Sequence, residues 1–293
     1  MTAAFAPSAS LADAYAHCER LTRAAARNFY YGIRLLPAEK RAALCAVYAL
    51  ARRLDDIGDG DLPTEGKLAG LERVREDLRR LGPQAPDPVL AALDDAARRF
   101  PVPLGAFEEL VDGVEMDVRG TAYGTFDELV VYCRRVAGTV GRLCLGVFGA
   151  ADPAAPERAD TLGIALQQTN ILRDVREDLL GGRVYLPAED LDAFGVTLAV
   201  DDKGRLGAPA ERLVALLRAA AARAATWYER GLTLLPMLDR RSAACAGAMA
   251  GIYLRLNRRI AADPRPVLDR RLSLPAWEKG AVAVRSLTTG RPA

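Results

Sequence analysis

Two acid-rich segments of the sequence, more than a hundred residues apart, carry side chains suited to chemistry. One spans residues 52–59 and the other residues 167–178, and in each of them polar side chains recur every four residues. Residues four apart lie on the same face of an α-helix. The side chains that share a face in this way are Asp55 and Asp59 in the first segment and Asn170, Asp174 and Asp178 in the second.

Like charges at this spacing destabilise an isolated helix by about 0.2–0.5 kcal/mol per pair. Divalent cations held between two such helices would reverse the sign of that effect. Mg²⁺ suits the pattern, because it takes oxygen ligands and binds through a few carboxylates together with substrate phosphates; Mn²⁺ is the alternative ion. The spacing therefore predicts metal-assisted chemistry on a diphosphate, with the metal stabilising the leaving group.

Arginine side chains next to the acids are suited to the remaining diphosphate oxygens. The candidates are Arg52, Arg53, Arg173 and Arg176. Arg52 lies three residues before Asp55 and shares nearly the same face, so it is the better candidate of the first pair. The alternative is that both segments form ordinary ion pairs on solvated helix faces. The apolar residues around both segments, and the four-residue register of the second, weigh against that alternative.

The composition argues against several other kinds of protein. The chain has 293 residues, of which 51% are hydrophobic, and a net charge of only +2, so it can bury a large core and shows no sign of nucleic-acid binding. His17 is the only histidine, which argues against a Ser-His-Asp triad or a His-rich zinc site. The five cysteines are scattered without a CxxC pair, which is typical of reduced thiols in a cytoplasmic protein. No segment has the roughly 18 consecutive apolar residues of a transmembrane helix.

Helical periodicity dominates the sequence and predicts an all-α fold. We expect a single helical domain with a central cavity over residues 10–293, preceded by a flexible N-terminal tail at residues 1–9. The predicted helices cover residues 10–28, 38–57, 64–81, 86–99, 103–118, 125–149, 155–180, 208–235, 239–261 and 273–288. The segment 181–207 is predicted to be irregular, because it opens with two glycines and contains a proline.

Four further stretches, together with the acid segments, resemble the squalene/phytoene synthase family. They are residues 28–37, 46–50, 132–141 and 182–187. The resemblance covers nearly the whole chain and implies an isoprenoid-synthase (terpenoid synthase) fold and Mg²⁺-dependent, head-to-head condensation of two prenyl diphosphates. One feature departs from the family pattern. Relatives often carry serine, or serine with lysine, where this chain has Ala26-Arg27-Asn28 just before Phe29.

The resemblance implies roles for individual residues. It marks as catalytic, metal-binding carboxylates Asp55, Asp59, Asp174 and Asp178, with Asn170 as a further metal ligand. It marks as substrate-binding Arg27, Phe29, Tyr48, Arg52, Gln167, Asn170, Arg173, Tyr253, Arg271 and Lys279. The alternative is core packing for Phe29 and Tyr48 and a surface position for Arg271 and Lys279.

Tyr132 matches the tyrosine that handles a proton during cyclopropane formation in the family. A phenol with an ordinary pKa of about 10 is a poor base at neutral pH. We therefore expect the Tyr132 hydroxyl to relay a proton to released diphosphate or to orient the cation. The alternative is a structural tyrosine whose buried hydroxyl is satisfied by a hydrogen bond.

Three products are compatible with such a site. Two farnesyl diphosphates give presqualene diphosphate, or squalene when NADPH reduces it further, and two geranylgeranyl diphosphates give phytoene. Residues 26–29 and 52–60 most resemble bacterial presqualene diphosphate synthases of hopanoid biosynthesis, so the sequence favours that product, with phytoene as the first alternative. A class I terpene cyclase usually has Ser or Thr and Glu where this chain has Asp174 and Asp178, and non-catalytic relatives tend to lose the acids.

The expected partners follow from the same resemblance. They are prenyl diphosphate substrates and a downstream squalene-forming enzyme, with NADPH as a cofactor only if the reductive step is also performed. A lipid product suggests loose contact of this cytoplasmic protein with a membrane surface, near Trp277 and Lys279.

Overall fold

The computed structural model describes residues 10–26, 28–83, 85–199 and 210–289. All regular elements in these ranges are helices, so the predicted all-α fold is confirmed. The α-helices are α1 (Leu11–Ala25), α2 (Tyr30–Ile33), α3 (Ala38–Asp59), α4 (Thr64–Arg79), α5 (Pro88–Arg99), α6 (Gly105–Val118), α7 (Phe126–Cys133), α8 (Thr139–Phe148), α9 (Ala155–Leu180), α10 (Ala188–Phe194), α11 (Ala210–Gly231), α12 (Arg240–Ala262), α13 (Arg265–Asp269) and α14 (Ala276–Thr289).

Local sequence signals set many of the helix starts. Ser10 and Thr125 form capping boxes at the starts of α1 and α7, in which the side-chain oxygen accepts a hydrogen bond from a free backbone N–H of the first turn. Asp87 caps α5 in the same way and is followed by proline at the first helical position. Asp239 caps α12 through the backbone N–H groups of residues 241 and 242. These signals are local, which explains why most predicted helices agree with the structure.

Three predictions about the helices were wrong. The helix predicted over 125–149 is interrupted by a π-helical segment at Arg134–Gly138, which joins α7 to α8. The segment 181–207, predicted to be irregular, contains α10, because Pro187 precedes a short run of good helix formers and Gly195 ends it with φ of +59°. The helix predicted over 208–235 becomes a 3₁₀ turn at Leu232–Met237, where Pro236 cannot continue an α-helix.

Some predictions fall outside the described residues. They concern the N-terminal tail at 1–9, residue Arg27, and the last part of the segment 181–207. The described portion also contains the short helices α2 and α13, which were not predicted, because a single helical turn carries too little periodicity to be recognised.

Helices α3 and α9 are the two central helices. Helix α3 packs against α1, α5, α6 and α8, and α9 packs against α8, α11, α12 and the π segment. Helix α8 therefore contacts both central helices. No helix among the described residues combines the length and apolar character needed to cross a bilayer.

Candidate active site

A cavity of about 410 Å³ lies between α3 and α9. The residues that line it change from apolar to acidic toward the C-terminal ends of both helices, from Leu44 to Asp59 on α3 and from Leu162 to Asp178 on α9. On α3 that distance is about 22 Å along the helix axis. The acidic end comprises Asp55, Asp59, Asp117, Asn170, Asp174 and Asp178, and the apolar wall comprises Leu44, Val47, Val140, Cys144, Phe148 and Leu162.

The acidic end concentrates negative charge at helix C-termini. Its acids lie in the last turns of α3 and α9, and Asp117 is the next-to-last residue of α6. A helix C-terminus carries a partial negative charge, so carboxylates there add to an unfavourable field that basic residues normally relieve. Neither α3 nor α9 has a basic residue in its last turn. Cations must therefore reach this end of the cavity from elsewhere.

Arginines supply part of that positive charge. Asp174 accepts hydrogen bonds from Arg173 Nε at 2.7 Å and from Arg271, whose Nε lies 2.9 Å from the carboxylate. Asp59 accepts a hydrogen bond from Arg183 at 2.9 Å. All three guanidinium groups belong to residues that line the cavity, so they are placed to meet the oxygens of an anionic ligand.

The two arginines of the first acid segment have different surroundings. Arg52 lines the cavity and pairs with Asp56 at 2.5 Å. Arg53 points to the neighbouring helix α5, where it forms a two-pronged pair with Asp87 at 2.8 and 2.9 Å. The structure thus places Arg52, and not Arg53, on the cavity wall.

The carboxylates that carry the remaining charge resist ionisation. Enclosure by the cavity walls raises the pKa of Asp55 to about 7, with Asp59 adding to the shift, although water in the cavity still reaches the side chain. Burial and the neighbouring Asp174 raise the pKa of Asp178 to about 7 as well. A nearby metal ion would stabilise the ionised form of both groups.

The donor set fits hard divalent cations. Carboxylate oxygens face the cavity from two helices, and the buried Oδ1 of Asn170 has no hydrogen-bond partner among the described residues. An unpaired buried amide oxygen is costly unless a ligand satisfies it. The acids among the described residues do not converge on one point. The carboxylates of Asp59 and Asp174 form ion pairs with arginines instead.

Tyr132 belongs to a buried cluster beside the acidic end. Its hydroxyl donates to Asp117 Oδ2 at 2.8 Å, and the hydroxyl of Tyr185 donates to Asp117 Oδ1 at the same distance. The ring of Tyr132 stacks against Tyr185 and packs against Tyr123. Burial and the neighbouring Asp117 raise the pKa of Tyr132 well above its ordinary value. Tyr132 is therefore both buried with a satisfied hydroxyl and part of the cavity lining.

The other residues assigned from the resemblance are only partly brought together. Phe29, Tyr48 and Gln167 line the cavity. Tyr253 is buried behind the lining, where its ring stacks on Phe29 at 5.6 Å and lies under the Arg173 guanidinium. Lys279 lies on α14 and is not among the lining residues. The roles of all these residues stay predictions.

Three cavity residues with polar or charged side chains were not predicted from the sequence: Asp117, Arg183 and Tyr185. Arg183 and Tyr185 lie in the stretch 182–187 that carries part of the family resemblance, so a signal for them existed. Asp117 had none, because α6 contains four other acids whose spacing does not set it apart.

Close backbone contacts shape the cavity wall next to Tyr132. Val136 and Ala137 of the π segment line the cavity, and π-helical turns recur at functional sites. Helix α9 approaches this segment so closely that a Cβ on Gly163 would lie 2.4 Å from the carbonyl oxygen of Ala137. A Cβ on Gly141 would lie 2.6 Å from the oxygen of Ala159. Glycine at position 141 therefore allows α8 and α9 to pack closely.

An ion-pair network holds the outer side of the same segment. Arg142 forms a two-pronged pair with Glu109 of α6 and a further hydrogen bond to Asp160 of α9 at 2.8 Å. Arg134, the first residue of the π segment, also pairs with Glu109 at 2.8 Å. The network thus ties α6, α8 and α9 together around the wall that carries Tyr132.

Comparisons with known proteins point to one family. The sequence model of the squalene/phytoene synthase family matches residues 22–278. A phytoene synthase of Mycobacterium bovis is 57% identical over 277 residues, which cover 94% of this chain and 91% of that protein. A presqualene diphosphate synthase of Rhodopseudomonas palustris is 42% identical over 174 residues, 58% of this chain and 61% of that protein. The crystal structure of a dehydrosqualene synthase matches with a TM-score of 0.80 at 29% identity, covering 94% of this chain and 95% of that chain.

The fold and the paired acid segments define an all-helical prenyltransferase. The chain belongs to the squalene/phytoene synthase family, whose members join two prenyl diphosphates head to head. The resemblance inferred from the sequence is therefore confirmed. The family generally uses divalent metal ions to bind the diphosphate, which matches the oxygen donors at the acidic end.

Proposed function

We propose that this enzyme condenses two molecules of geranylgeranyl diphosphate into phytoene, through a cyclopropane intermediate. The observation that carries the choice of product is the 57% identity to a phytoene synthase over 94% of the chain. The sequence motifs favoured presqualene diphosphate made from farnesyl diphosphate, and that reaction is the second candidate. It is supported by the presqualene diphosphate synthase relative, whose similarity is lower and covers 58% of the chain.

The acidic end binds the diphosphate in this proposal. Asp55 and Asp59 hold metal ions from α3, while Asn170, Asp174 and Asp178 hold them from α9. When bound, Mg²⁺ supplies Lewis-acid stabilisation of the departing diphosphate. The guanidinium groups of the cavity arginines contact the remaining oxygens and keep the diphosphate at this end; these are Arg52, Arg173, Arg183 and Arg271.

The apolar wall binds the hydrocarbon chains and excludes water from the cation. A carbocation next to water would be captured as an alcohol, so a dry wall is part of the chemistry. Tyr132 lines the cavity, and its hydroxyl donates a hydrogen bond to Asp117 of the acidic end. In this proposal Tyr132 handles the proton that is lost when the cyclopropane ring closes.

The proposal is tested by incubating the purified protein with Mg²⁺ and either farnesyl or geranylgeranyl diphosphate, with and without NADPH. We expect mass spectrometry to show phytoene from geranylgeranyl diphosphate, independent of NADPH. Presqualene diphosphate from the farnesyl substrate alone would support the second candidate, and squalene with NADPH would indicate full squalene synthesis. No consumption of either substrate would contradict every synthase assignment.

Contact with a lipid surface stays a separate prediction. Trp277 and Val284 lie two turns apart on the same face of α14, and they are 73% and 62% exposed. Co-sedimentation with anionic vesicles, compared between the native protein and Trp277→Ala, tests whether this exposed face binds membranes.

A further inference from the structure

The hydrogen bond between Tyr132 and Asp117 provides a proton acceptor that the sequence did not reveal. The two residues come from different helices, α7 and α6, and their oxygens lie 2.8 Å apart. Both residues line the cavity, so the pair is at the surface where the substrate reacts. A phenol that donates to a carboxylate keeps a lone pair of its own for a second proton.

A free tyrosinate is not available at this position. Tyr132 is 2% exposed, and burial together with the nearby carboxylate keeps its hydroxyl protonated. The hydroxyl can accept a proton from the substrate only if it gives up its own in the same step. Hydrogen-bond geometry of this kind is what general acid–base catalysis requires of a proton acceptor.

We propose that Asp117 is the immediate proton acceptor for Tyr132, so that the two side chains relay the proton lost at ring closure. The inference rests on the proposed head-to-head condensation. It adds one catalytic residue, Asp117, and one positioning residue, Tyr185, to the reaction.

The step is balanced in atoms and electrons. A C–H bond of the cationic intermediate breaks, and its electron pair becomes the new carbon–carbon bond of the cyclopropane ring. The proton goes to a lone pair of Tyr132 Oη, while the hydroxyl proton of Tyr132 passes to Asp117 Oδ2. The carbocation becomes an uncharged cyclopropane centre, and the product keeps the diphosphate of the second substrate. Tyr132 is a neutral phenol before and after, and Asp117 changes from carboxylate to carboxylic acid. Released diphosphate is the base that later removes this proton.

The surroundings of Asp117 suit this role. Tyr185 donates to Oδ1 at 2.8 Å and so fixes the plane of the carboxylate with Oδ2 turned to Tyr132. Burial raises the pKa of Asp117, while the two tyrosine hydrogen bonds and Arg183 oppose the rise. Both oxygens of Asp117 accept hydrogen bonds, as those of an ionised carboxylate do, and burial makes this carboxylate a stronger proton acceptor.

The test compares Asp117→Asn, Tyr132→Phe and the double variant in single-turnover reactions with Mg²⁺ and geranylgeranyl or farnesyl diphosphate. Asp112→Asn is the matched control, because it makes the same change on the same helix at a carboxylate that pairs with Arg75. Diphosphate release, cyclopropane product and uncyclised alcohols are quantified separately. Circular dichroism and the melting temperature check that each variant is folded.

We expect each single variant to lower the rate of cyclopropane formation by about 100-fold or more. The double variant should be no slower than the slower single variant, because a relay fails as one unit. The alcohols should increase relative to the cyclised product, and Asp112→Asn should behave as the native protein does. Tyr185→Phe should lower the rate of cyclopropane formation by a smaller factor and leave KM nearly unchanged. Tyr185→Trp should not restore the native rate.

A second measurement needs no variant and so does not depend on folding. In the native enzyme, the hydroxyl proton of Tyr132 moves in the same step as the substrate proton. Ring closure should therefore slow about twofold or more in D₂O, and the effect should persist with substrate deuterated at the carbon that loses the proton.

Several results would overturn the relay. They are a native cyclisation rate in Asp117→Asn, a multiplicative loss in the double variant, or no solvent isotope effect on ring closure. A tenfold or greater rise in the Mg²⁺ concentration needed by Asp117→Asn would also overturn it, because Asp117 would then be a metal ligand. If the native protein forms no cyclopropane from either substrate, the proposed function itself fails, whereas an active native enzyme with an equally active Asp117→Asn variant overturns the relay alone.

Discussion

The acidic end and the apolar wall of the same cavity differ in their energetics: charge is unfavourable at the acidic end, and packing is favourable at the wall. At the acidic end, carboxylates from three helices line the cavity, and the pKa values of Asp55, Asp117 and Asp178 are raised. A buried amide oxygen there has no partner among the described residues. Along the apolar wall, helices approach until only glycine fits between them, as Gly163 does against Ala137. The polar groups of the acidic end would be stabilised by a bound cationic ligand, whereas the wall is well packed without a ligand.

The difference teaches where function and stability are located in this fold. Groups that bind a charged ligand are held in a state unfavourable for the free protein, and ligand binding relieves it. Close packing beside them keeps the unfavourable arrangement from relaxing. Substitutions at the two regions should therefore have opposite consequences for activity and stability.

The largest effect is expected at the acidic end, on activity. Asp55→Ala or Asp174→Ala should lower turnover more than about 1000-fold, because the metal and diphosphate lose a carboxylate of the site. Asp61→Ala is the control, since Asp61 is exposed two residues beyond Asp59 and outside the cavity lining. Steady-state kinetics and melting curves measure the two properties. Unchanged product formation by either cavity variant would remove the metal assignment.

The next effect should appear at the wall, on stability. Gly163→Ala should lower the free energy of unfolding by about 2–3 kcal/mol, because the new methyl group meets backbone atoms that cannot move aside. Gly247→Ala, in buried helix α12, is the matched control, because its nearest neighbour would lie 3.5 Å away. That control should be neutral or more stable by about 0.5–1 kcal/mol. Urea denaturation measures both, and equal stability of the two variants would contradict the close-contact explanation.

The third prediction is a gain in stability from a substitution at the acidic end. The pKa of Asp178 is raised to about 7, so its ionisation opposes folding, and native stability falls as the pH rises from about 4 through 7. In metal-free protein at pH 8, Asp178→Asn should therefore raise the free energy of unfolding, by about 2 kcal/mol. At pH 5 the gain should shrink, since the carboxyl group is then protonated in the native state. A gain that does not depend on pH would show that desolvated charge is not the cause.

The smallest effect is expected at the start of α12, close to the wall residue Phe148. Asp239 caps α12 and pairs with Lys40, which also donates to the carbonyl of the wall residue Phe148. Asp239→Ala should cost about 1 kcal/mol of stability. Burial alone would raise the pKa of Asp239, but the hydrogen bonds from Lys40 and Ser242 outweigh it and lower the pKa to about 2. This contribution is therefore present above about pH 4 and is lost as the pH falls toward 2. Asp239→Asn, which keeps the cap, should retain more stability, and an equal loss in both would point to the ion pair alone.

Much of the acidic end was predictable from the sequence, because its information is local. The four-residue spacing placed Asp55 with Asp59 on one face, and Asp174 with Asp178 on another, before any packing was known. The same spacing separated Arg52 from Arg53, and the structure places Arg52 on the cavity wall. The π segment was not predicted, because its residues continue the helical pattern of α7 and α8 without a breaking residue. Its contacts with α6 and α9 become visible only in the structure.

The sequence by itself determined the helices, the faces that carry the acids, and the family to which the chain belongs. Helical periodicity, capping and motif spacing each involve residues close together in the chain, so they can be recognised from the sequence alone. Only the tertiary structure decided that Asp117 meets both Tyr132 and Tyr185, which are 15 and 68 residues away along the chain. It also decided that Gly163 touches the π segment. Such contacts depend on how whole helices pack, and helix packing is set by the sum of many weak interactions that no local pattern specifies.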